Sequence, residues 1–285
     1  MDQAETLRRQ MLQSQRGLGK VIAVVSGKEG VGKSNFSTSF ATEISSKGHS
    51  VLLLNMDVGK DNFHSLIGQH SEKTIFYCLE SDRSIHDVVQ NRPGGFSYIS
   101  GGSDLSRMIE WKDIEINRLI HGLEELQKEY DYLIFNMGVG DTAKGHELIM
   151  AADEVIVITT AEPTSIMEAY SMMKFIHMKD EENKFSILCN RVVDETEGEV
   201  VLQRLRLAME RFLQKEIHLL GSLPEDLNVR KAVSNRTPFI LNDPSTPAAK
   251  TLKKIVHHYL DQHTGEAYAN SDRFVQRLST LFSRR

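Results

Sequence analysis

A glycine-rich run near the start of the chain has the residue types and spacing needed to bind phosphate groups. It begins at Gly27 and ends with the triplet Gly32, Lys33 and Ser34, which completes the pattern G-x-x-x-x-G-K-[ST]. In this pattern small residues let backbone N–H groups close around phosphate oxygens, the lysine reaches the terminal phosphates, and the serine holds Mg²⁺. We therefore predict a nucleotide site rather than a glycine-rich turn with an ordinary surface lysine. The other predicted contacts of this loop are Lys28, Gly30, Val31 and Asn35.

The sequence on either side of the loop supplies the elements that must position it. Residues 20–26, with a continuous apolar run at 21–25, are predicted to form a strand, and residues 33–47 have a helical pattern. A strand before the loop and a helix after it are the context that the phosphate-binding pattern requires. The amino terminus of the helix also adds a favourable dipole for an anion.

Further apolar runs predict the rest of the fold. They are continuous rather than alternating, as expected for parallel strands buried on both faces, and helical segments lie between them. We predict an α/β fold, a single doubly wound and mostly parallel sheet with helices on both faces. The remaining predicted strands are 50–55, 96–99, 131–136, 154–160 and 185–190, and the helices are 113–129, 144–152, 164–178 and 197–214.

Composition excludes several classes of protein. The net charge of −5 gives no global basic footprint for nucleic acid. Cys78 and Cys189 lie far apart, and the absence of a CxxC motif argues against an iron–sulfur site. No apolar run approaches the ~20 residues of a membrane span, and no signal-peptide pattern is present, so we expect a cytoplasmic protein.

A second lysine, Lys28, directly follows the first glycine of the loop. With this signature the chain resembles the deviant Walker A ATPases of the MinD/ParA class and, over nearly its whole length, the flagellar FlhG (YlxH) family within it. The resemblance implies a P-loop ATPase that uses ATP, ADP and Mg²⁺ and dimerises with ATP, so that Lys28 reaches the nucleotide of the partner. The predicted ATPase domain is 20–262.

The same resemblance assigns roles to residues downstream. Asp57 would orient the attacking water or a metal-bound water, so that Lys28 and Asp57 are the predicted catalytic residues and Ser34 and Asp57 the metal ligands. Gly138 would donate a backbone N–H toward the γ-phosphate. Asn190 would bind adenine. The remaining predicted contacts at the base are Arg191, Pro224 and Asp226.

Three residues depart from the family pattern: Glu29 replaces a glycine, and Asn55 and Asn136 replace aspartates. Asparagine keeps the shape of aspartate and loses its charge, which should weaken the binding of Mg²⁺. Glu29 would repel phosphate and obstruct a partner subunit, and its backbone would be strained if the position requires a positive φ. These changes leave two hypotheses open, a working ATPase switch and a nucleotide-binding adaptor with impaired hydrolysis and dimerisation.

The carboxyl-terminal segment, 263–285, is predicted to be a linker followed by an amphipathic helix. Its apolar residues recur at i, i+1, i+4, i+7 and i+8, and arginines flank them. We expect this face to bind an anionic membrane peripherally when ATP is bound, and the alternative is a helix docked on the core. The apolar face consists of Phe274, Val275, Leu278, Leu281 and Phe282.

The amino-terminal arm, 1–19, matches the motif Asp-Gln-Ala-x-x-Leu-Arg. The resemblance implies that this arm binds and stimulates the GTPase FlhF, and it adds the flagellar C-ring switch proteins as further partners. A third hypothesis, a ParA-type DNA-segregation ATPase, requires a basic stripe that the net charge argues against. The predicted arm contacts are Asp2, Gln3, Ala4, Leu7 and Arg8.

Overall fold

Strands and helices alternate along the chain as predicted. A computed structural model of the protein describes residues 17–57, 73–80, 83–91, 95–101, 112–138, 143–263 and 273–283. The strands are β1 (Lys20–Val25), β2 (Val51–Met56), β3 (Gln90–Asn91), β4 (Ser97–Ser100), β5 (Tyr132–Met137), β6 (Glu154–Thr159), β7 (Phe185–Val192) and β8 (His218–Pro224).

Helices cover both faces of the sheet that these strands form. They are α1 (Lys33–Ser46), α2 (Ile75–Glu80), α3 (Asp113–Glu129), α4 (Ala143–Ala151), α5 (Pro163–Lys179), α6 (Glu195–Leu213), α7 (Leu227–Ser234), α8 (Phe239–Asn242), α9 (Pro247–His263) and α10 (Arg273–Ser283), with a 3-10 turn at Ile85–Val88.

The sheet has the order β3-β4-β2-β5-β1-β6-β7-β8. Every described pair of strands is parallel except β3 with β4, which confirms the predicted fold class. Strands β1, β2, β5 and β6 are buried along their whole length, because helices cover both of their faces. The carboxyl ends of these strands therefore meet at one edge, where open α/β sheets bind ligands.

The sequence analysis missed two strands at the edges of the sheet. Strand β8 is mostly half-exposed, so it lacks the continuous apolar run that marks the central strands. Gly221 interrupts it with a φ of 126°, next to a register shift against β7. Strand β3 has only two residues, too few to leave a pattern.

Helix α10 is docked on the core instead of presenting its apolar face to solvent. Phe274 and Leu278 are fully buried, and the Phe274 ring lies 5.9 Å from the ring of Phe135. Arg277 forms an ion pair with Asp180 at the end of α5. Protein therefore covers the face that we assigned to lipid, which is the alternative that the sequence analysis ranked second. The other members of that face, Val275, Leu281 and Phe282, pack against the same core cluster.

Candidate nucleotide-binding site

The phosphate-binding loop connects the carboxyl end of β1 to the first turn of α1. Gly30 and Gly32 have φ angles of 76° and 95°, in the left-handed region that favours glycine. A Cβ atom on Gly32 would lie 2.3 Å from Nδ2 of Asn190, so a larger residue does not fit there. Gly32 is also the N-cap residue of α1, and no side chain caps this end. The first turn of α1 is thus arranged to donate backbone N–H groups to an anion.

Lys33 lies on the first turn of α1 and points toward the end of β2. It is buried, and its Nζ atom lies 2.8 Å from Oδ2 of Asp57, which follows β2. Gly138 follows β5 beside them, since a Cβ atom there would lie 3.0 Å from Oδ1 of Asp57. The fold thus brings together three of the predicted site residues from the start of α1 and the ends of β2 and β5.

A buried amide pair forms the floor of the site, where the family pattern has two carboxylates. Asn55 and Asn136 are register partners on β2 and β5, and both are buried. Asn136 donates from Nδ2 to Oδ1 of Asn55 at 2.7 Å and to Oγ of Ser34 at 3.2 Å. Ser37, one turn along α1, lies 3.2 Å from Oδ1 of Asn136. The sequence analysis missed Ser37, although its helical spacing from Ser34 could have indicated it.

The donor chemistry of this floor fits a nucleotide better than a metal ion. Mg²⁺ prefers anionic oxygens, whereas the side chains that contact Ser34 and Asn136 here are neutral. Asp57, the carboxylate predicted as a metal ligand, is paired with Lys33. Within the described residues no group of three or more His, Cys, Asp and Glu could hold a metal ion.

The predicted base side of the site lies at the end of β7. Asn190 donates from Nδ2 to the carbonyl oxygen of Val31 at 2.7 Å, which ties the strand to the phosphate-binding loop. Arg191 follows with a φ of 59° and lies 3.8 Å from a carboxylate oxygen of Glu225. The neighbouring Cys189 is buried, and burial raises its thiol pKa to about 12, so it does not supply a thiolate nucleophile.

The loop after β8 has a structural role that the sequence did not indicate. Pro224 ends β8, and Asp226 caps α7 by accepting a hydrogen bond from the backbone N–H of Asn228 at 2.8 Å. The second oxygen of Asp226 accepts from the N–H of Ala248 at 3.3 Å, in the first turn of α9. Its carboxylate is thus engaged in holding two helices, and the predicted contact with a base stays a prediction.

Lys28 is held by the loop between β6 and α5. Its ammonium donates to the carboxylate of Glu162 and, at 3.1 Å, to Oγ1 of Thr164. The hydrogen bond and charge of Lys28 lower the pKa of Glu162. The sequence analysis did not predict this contact. The missed signal was an acidic residue after β6, since β6 is the neighbour of β1 and their ends meet.

Glu29 is exposed at the mouth of the loop and its backbone is not strained. In the described part of the chain, the non-glycine residues with positive φ are Arg191, Gln214 and Arg236. The φ of Glu29 is therefore outside the region that penalises side chains, and the strain considered in the sequence analysis is absent. The predicted arm residues 2–8 lie outside the described part of the chain, as does the linker 264–272.

Comparison with known proteins gives the family. A family profile described as ParA, NUBPL iron-transfer P-loop NTPase, matches residues 17–260. The chain belongs to the ParA family. The resemblance to the MinD/ParA class that the sequence analysis stated is thereby confirmed.

An antiactivator and a flagellum site-determining protein are among the relatives of this ParA-family chain. It is 29% identical over 238 residues to the antiactivator FleN of Pseudomonas aeruginosa, covering 83% of this chain and 84% of FleN. It is also 29% identical over 231 residues to the flagellum site-determining protein YlxH of Helicobacter pylori, covering 78% of this chain and 75% of YlxH.

Solved structures of MinD share the fold of this ParA-family chain. The septum site-determining protein MinD of Pyrococcus horikoshii, complexed with Mg-ADP, has a TM-score of 0.72 at 18% identity and covers 88% of this chain and 100% of that one. MinD in the MinC:MinD complex of Aquifex aeolicus has a TM-score of 0.67 at 20% identity, covering 85% and 96%. At these identities the likeness concerns the fold.

Proposed function

We propose that this chain is a MinD-like nucleotide switch that binds ATP or ADP and regulates the number and placement of flagella. The observation that carries the proposal is the phosphate-binding loop, in which left-handed glycines, the uncapped start of α1 and Lys33 converge on one point. The similarity to FleN and YlxH supports the flagellar role. A bound nucleotide would supply the phosphate chain on which these groups act, and weak ATP hydrolysis is the activity expected of the switch.

Dimerisation with ATP is the second part of the proposal. Lys28 is held at the surface, with its side chain 37% exposed, by contacts that a competing anion could replace. In the dimer that we propose, the phosphates of the partner's nucleotide would take the place of Glu162. The ion pair therefore holds Lys28 in the monomer and is exchanged for the partner's nucleotide when two chains meet.

Replacing Glu162 with glutamine is expected to favour the dimer. The neutral amide keeps the size of the side chain and loses its charge, so Lys28 is held less tightly. Because exposed ion pairs are weak, we expect the ATP concentration at half-dimerisation to fall about two- to fivefold. Light scattering of the purified chain with a non-hydrolysable ATP analogue measures this. Glu199→Gln, the same change at an exposed site on α6, is the matched control, and an E162Q chain that dimerises no more readily than this control contradicts the exchange.

Peripheral association with an anionic membrane is the third part. Within the described residues no helix is long and apolar enough to span a bilayer. Helix α10 nevertheless carries an apolar face with aromatic residues, and it follows a segment of nine residues, 264–272, that separates it from α9. We propose that α10 leaves the core when the dimer forms and that the face of Phe274 and Leu278 then enters the lipid headgroup region.

The ion pair between Arg277 and Asp180 should restrain α10. Both side chains are mostly buried, with exposures of 21% and 23%. Asp180→Asn removes the carboxylate and leaves the lipid-directed face of α10 unchanged. We expect binding to phosphatidylglycerol vesicles to rise about fivefold, which corresponds to on the order of 1 kcal/mol. Co-sedimentation measures it, and neutral phosphatidylcholine vesicles serve as the comparison.

Asp243→Asn is the control for this variant, since Asp243 caps a local turn through Ser245 far from α10. Unchanged vesicle binding by D180N would mean that the ion pair does not restrain the helix. No vesicle binding by any form would overturn the membrane part of the proposal.

Stimulation of FlhF by the arm 1–19 and binding to C-ring switch proteins complete the proposal, supported by the motif at Asp2–Arg8. The test is GTP turnover by FlhF with the full chain and with Gln3→Ala. A stimulation that survives the loss of Gln3 would contradict the role given to this glutamine.

A second candidate function follows from the amide pair on the floor of the site. A chain with Asn55 and Asn136 in place of carboxylates could bind nucleotide and act as an adaptor with little or no hydrolysis. Light scattering with ADP and then with the ATP analogue, together with the turnover rate, separates the two. An ATP-dependent dimer with turnover supports the switch, and a monomer under both conditions without turnover supports the adaptor.

A further inference from the structure

We infer that the nucleotide site of this chain binds its nucleotide without needing a divalent cation. The inference rests on the proposed binding of nucleotide to the phosphate-binding loop. It adds that the site accepts the free nucleotide as well as its complex with Mg²⁺. The observation behind it is the buried amide pair, Asn55 and Asn136, beneath Ser34.

The hydrogen bonds of Asn136 are satisfied by neutral partners. Its side chain is completely buried and donates from Nδ2 to Asn55 and Ser34, while its Oδ1 atom accepts from Ser37. Turning both amides together keeps the hydrogen bond between them, and in either orientation the side chains beneath Ser34 are neutral. The network therefore places a neutral side chain against Ser34.

A neutral side chain is a poor partner for a divalent cation at the position where P-loop proteins hold one. The Ser34 hydroxyl oxygen faces the positive end of the Asn136 amide dipole at 3.2 Å. A hard divalent cation binds through anionic or carbonyl oxygens and gives up its water reluctantly. The amide pair offers no carboxylate to such an ion.

Charge balance favours the metal-free nucleotide at the same point. Carboxylates at positions 55 and 136 would repel phosphate oxygens unless a divalent cation lay between them. Asparagines in place of aspartates at these two positions remove two negative charges. A divalent cation would otherwise be needed to neutralise them. Among the described residues, Lys33 and the uncapped amino terminus of α1 supply positive charge for the phosphates, and neither requires a metal.

The test is a titration of the full chain with fluorescent mant-ADP, once with excess Mg²⁺ and once with EDTA. We expect dissociation constants that agree within about twofold, because the amide pair beneath Ser34 gives the metal no carboxylate. Asn136→Asp restores a carboxylate beside Ser34, and this variant should bind the nucleotide at least about tenfold more tightly with Mg²⁺ than with EDTA. Asn55→Asp is the second variant, in case a carboxylate at position 136 prevents folding.

A surface amide pair provides the matched control. Asn235 donates from Nδ2 to Oδ1 of Asn242 at 2.8 Å at the end of α7, so Asn235→Asp makes the same change in an exposed pair. It should leave the two dissociation constants equal. Electron paramagnetic resonance of Mn²⁺ with ADP adds a readout that is independent of affinity, with more Mn²⁺ immobilised by N136D than by the natural chain.

The outcomes separate the inference from the proposed function. Equal affinity with Mg²⁺ and EDTA in the natural chain, and metal dependence in N136D, support the inference. Tight binding that the natural chain shows only with Mg²⁺ overturns the inference and leaves nucleotide binding standing. No binding under either condition overturns the proposed function and the inference with it.

Discussion

Replacing Lys33 with alanine is expected to weaken the binding of ATP and ADP about 10- to 100-fold, because a hydrogen bond to a charged group contributes about 1.5–3 kcal/mol. Lys33 is 7% exposed and is the first residue of α1, next to the backbone N–H groups of the phosphate-binding loop. Its loss also leaves the carboxylate of Asp57 beside the phosphates without a compensating cation. Isothermal titration calorimetry with ADP measures the effect.

Two further variants make this prediction specific. The double variant Lys33→Ala with Asp57→Asn should bind more tightly than Lys33→Ala alone, because it removes the uncompensated carboxylate. Lys47→Ala removes a cation from the other end of α1, where the side chain is 47% exposed, and should leave nucleotide affinity unchanged. Equal affinities of K33A and the natural chain would place the phosphates elsewhere in the protein.

The second large effect is expected on stability, at the edge of the sheet opposite the nucleotide site. Glu154 begins β6 and accepts hydrogen bonds from Lys20, Ser186 and Tyr259, the last at 2.8 Å. Glu154 and Lys20 are both buried, with exposures of 3% and 8%. Glu154→Ala leaves the ammonium of Lys20 buried without a carboxylate, which costs about 3–5 kcal/mol of unfolding free energy. Urea denaturation followed by circular dichroism measures it.

The partner lysine provides the control for this prediction. Lys20→Met combined with Glu154→Leu removes both charges, so part of the loss should be recovered, while Ser186 and Tyr259 still lose their acceptor. Glu124→Ala breaks an exposed pair with Lys128 on α3 and should cost about 0.5 kcal/mol or less. If E154A unfolds at the same urea concentration as E124A, the buried pair is not a determinant of stability.

Much of the fold was predictable because its signals are local. The spacing of the glycines and of Lys33 is a short pattern, and the buried central strands are continuous apolar runs. Gly48 follows α1 with a φ of 91°, and Pro163 begins α5, positions that these two residue types favour. The edge strand β8 was not predicted, because a half-exposed strand has no continuous apolar run.

The sequence predicted the roles of site residues that belong to one short motif, but it did not predict contacts between residues that are distant in the sequence. The contact between Lys28 and Glu162 joins residues 134 positions apart, and the pairing of Asn55 with Asn136 depends on the register of β2 against β5. A short sequence pattern predicts neither the order of the strands in the sheet nor their register. The capping role of Asp226 depends likewise on where α9 packs.

The sequence by itself determined the P-loop, the α/β class and the departures of Glu29, Asn55 and Asn136 from the family pattern, since these are statements about residue identity, spacing and periodicity. The tertiary structure alone decided that α10 covers the core. An amphipathic helix presents the same periodic apolar face to lipid and to protein, and only the packing of Phe274 against Phe135 distinguishes the two. It also decided that the two asparagines pair with each other beneath Ser34, because strands distant in the chain become neighbours only when the sheet forms.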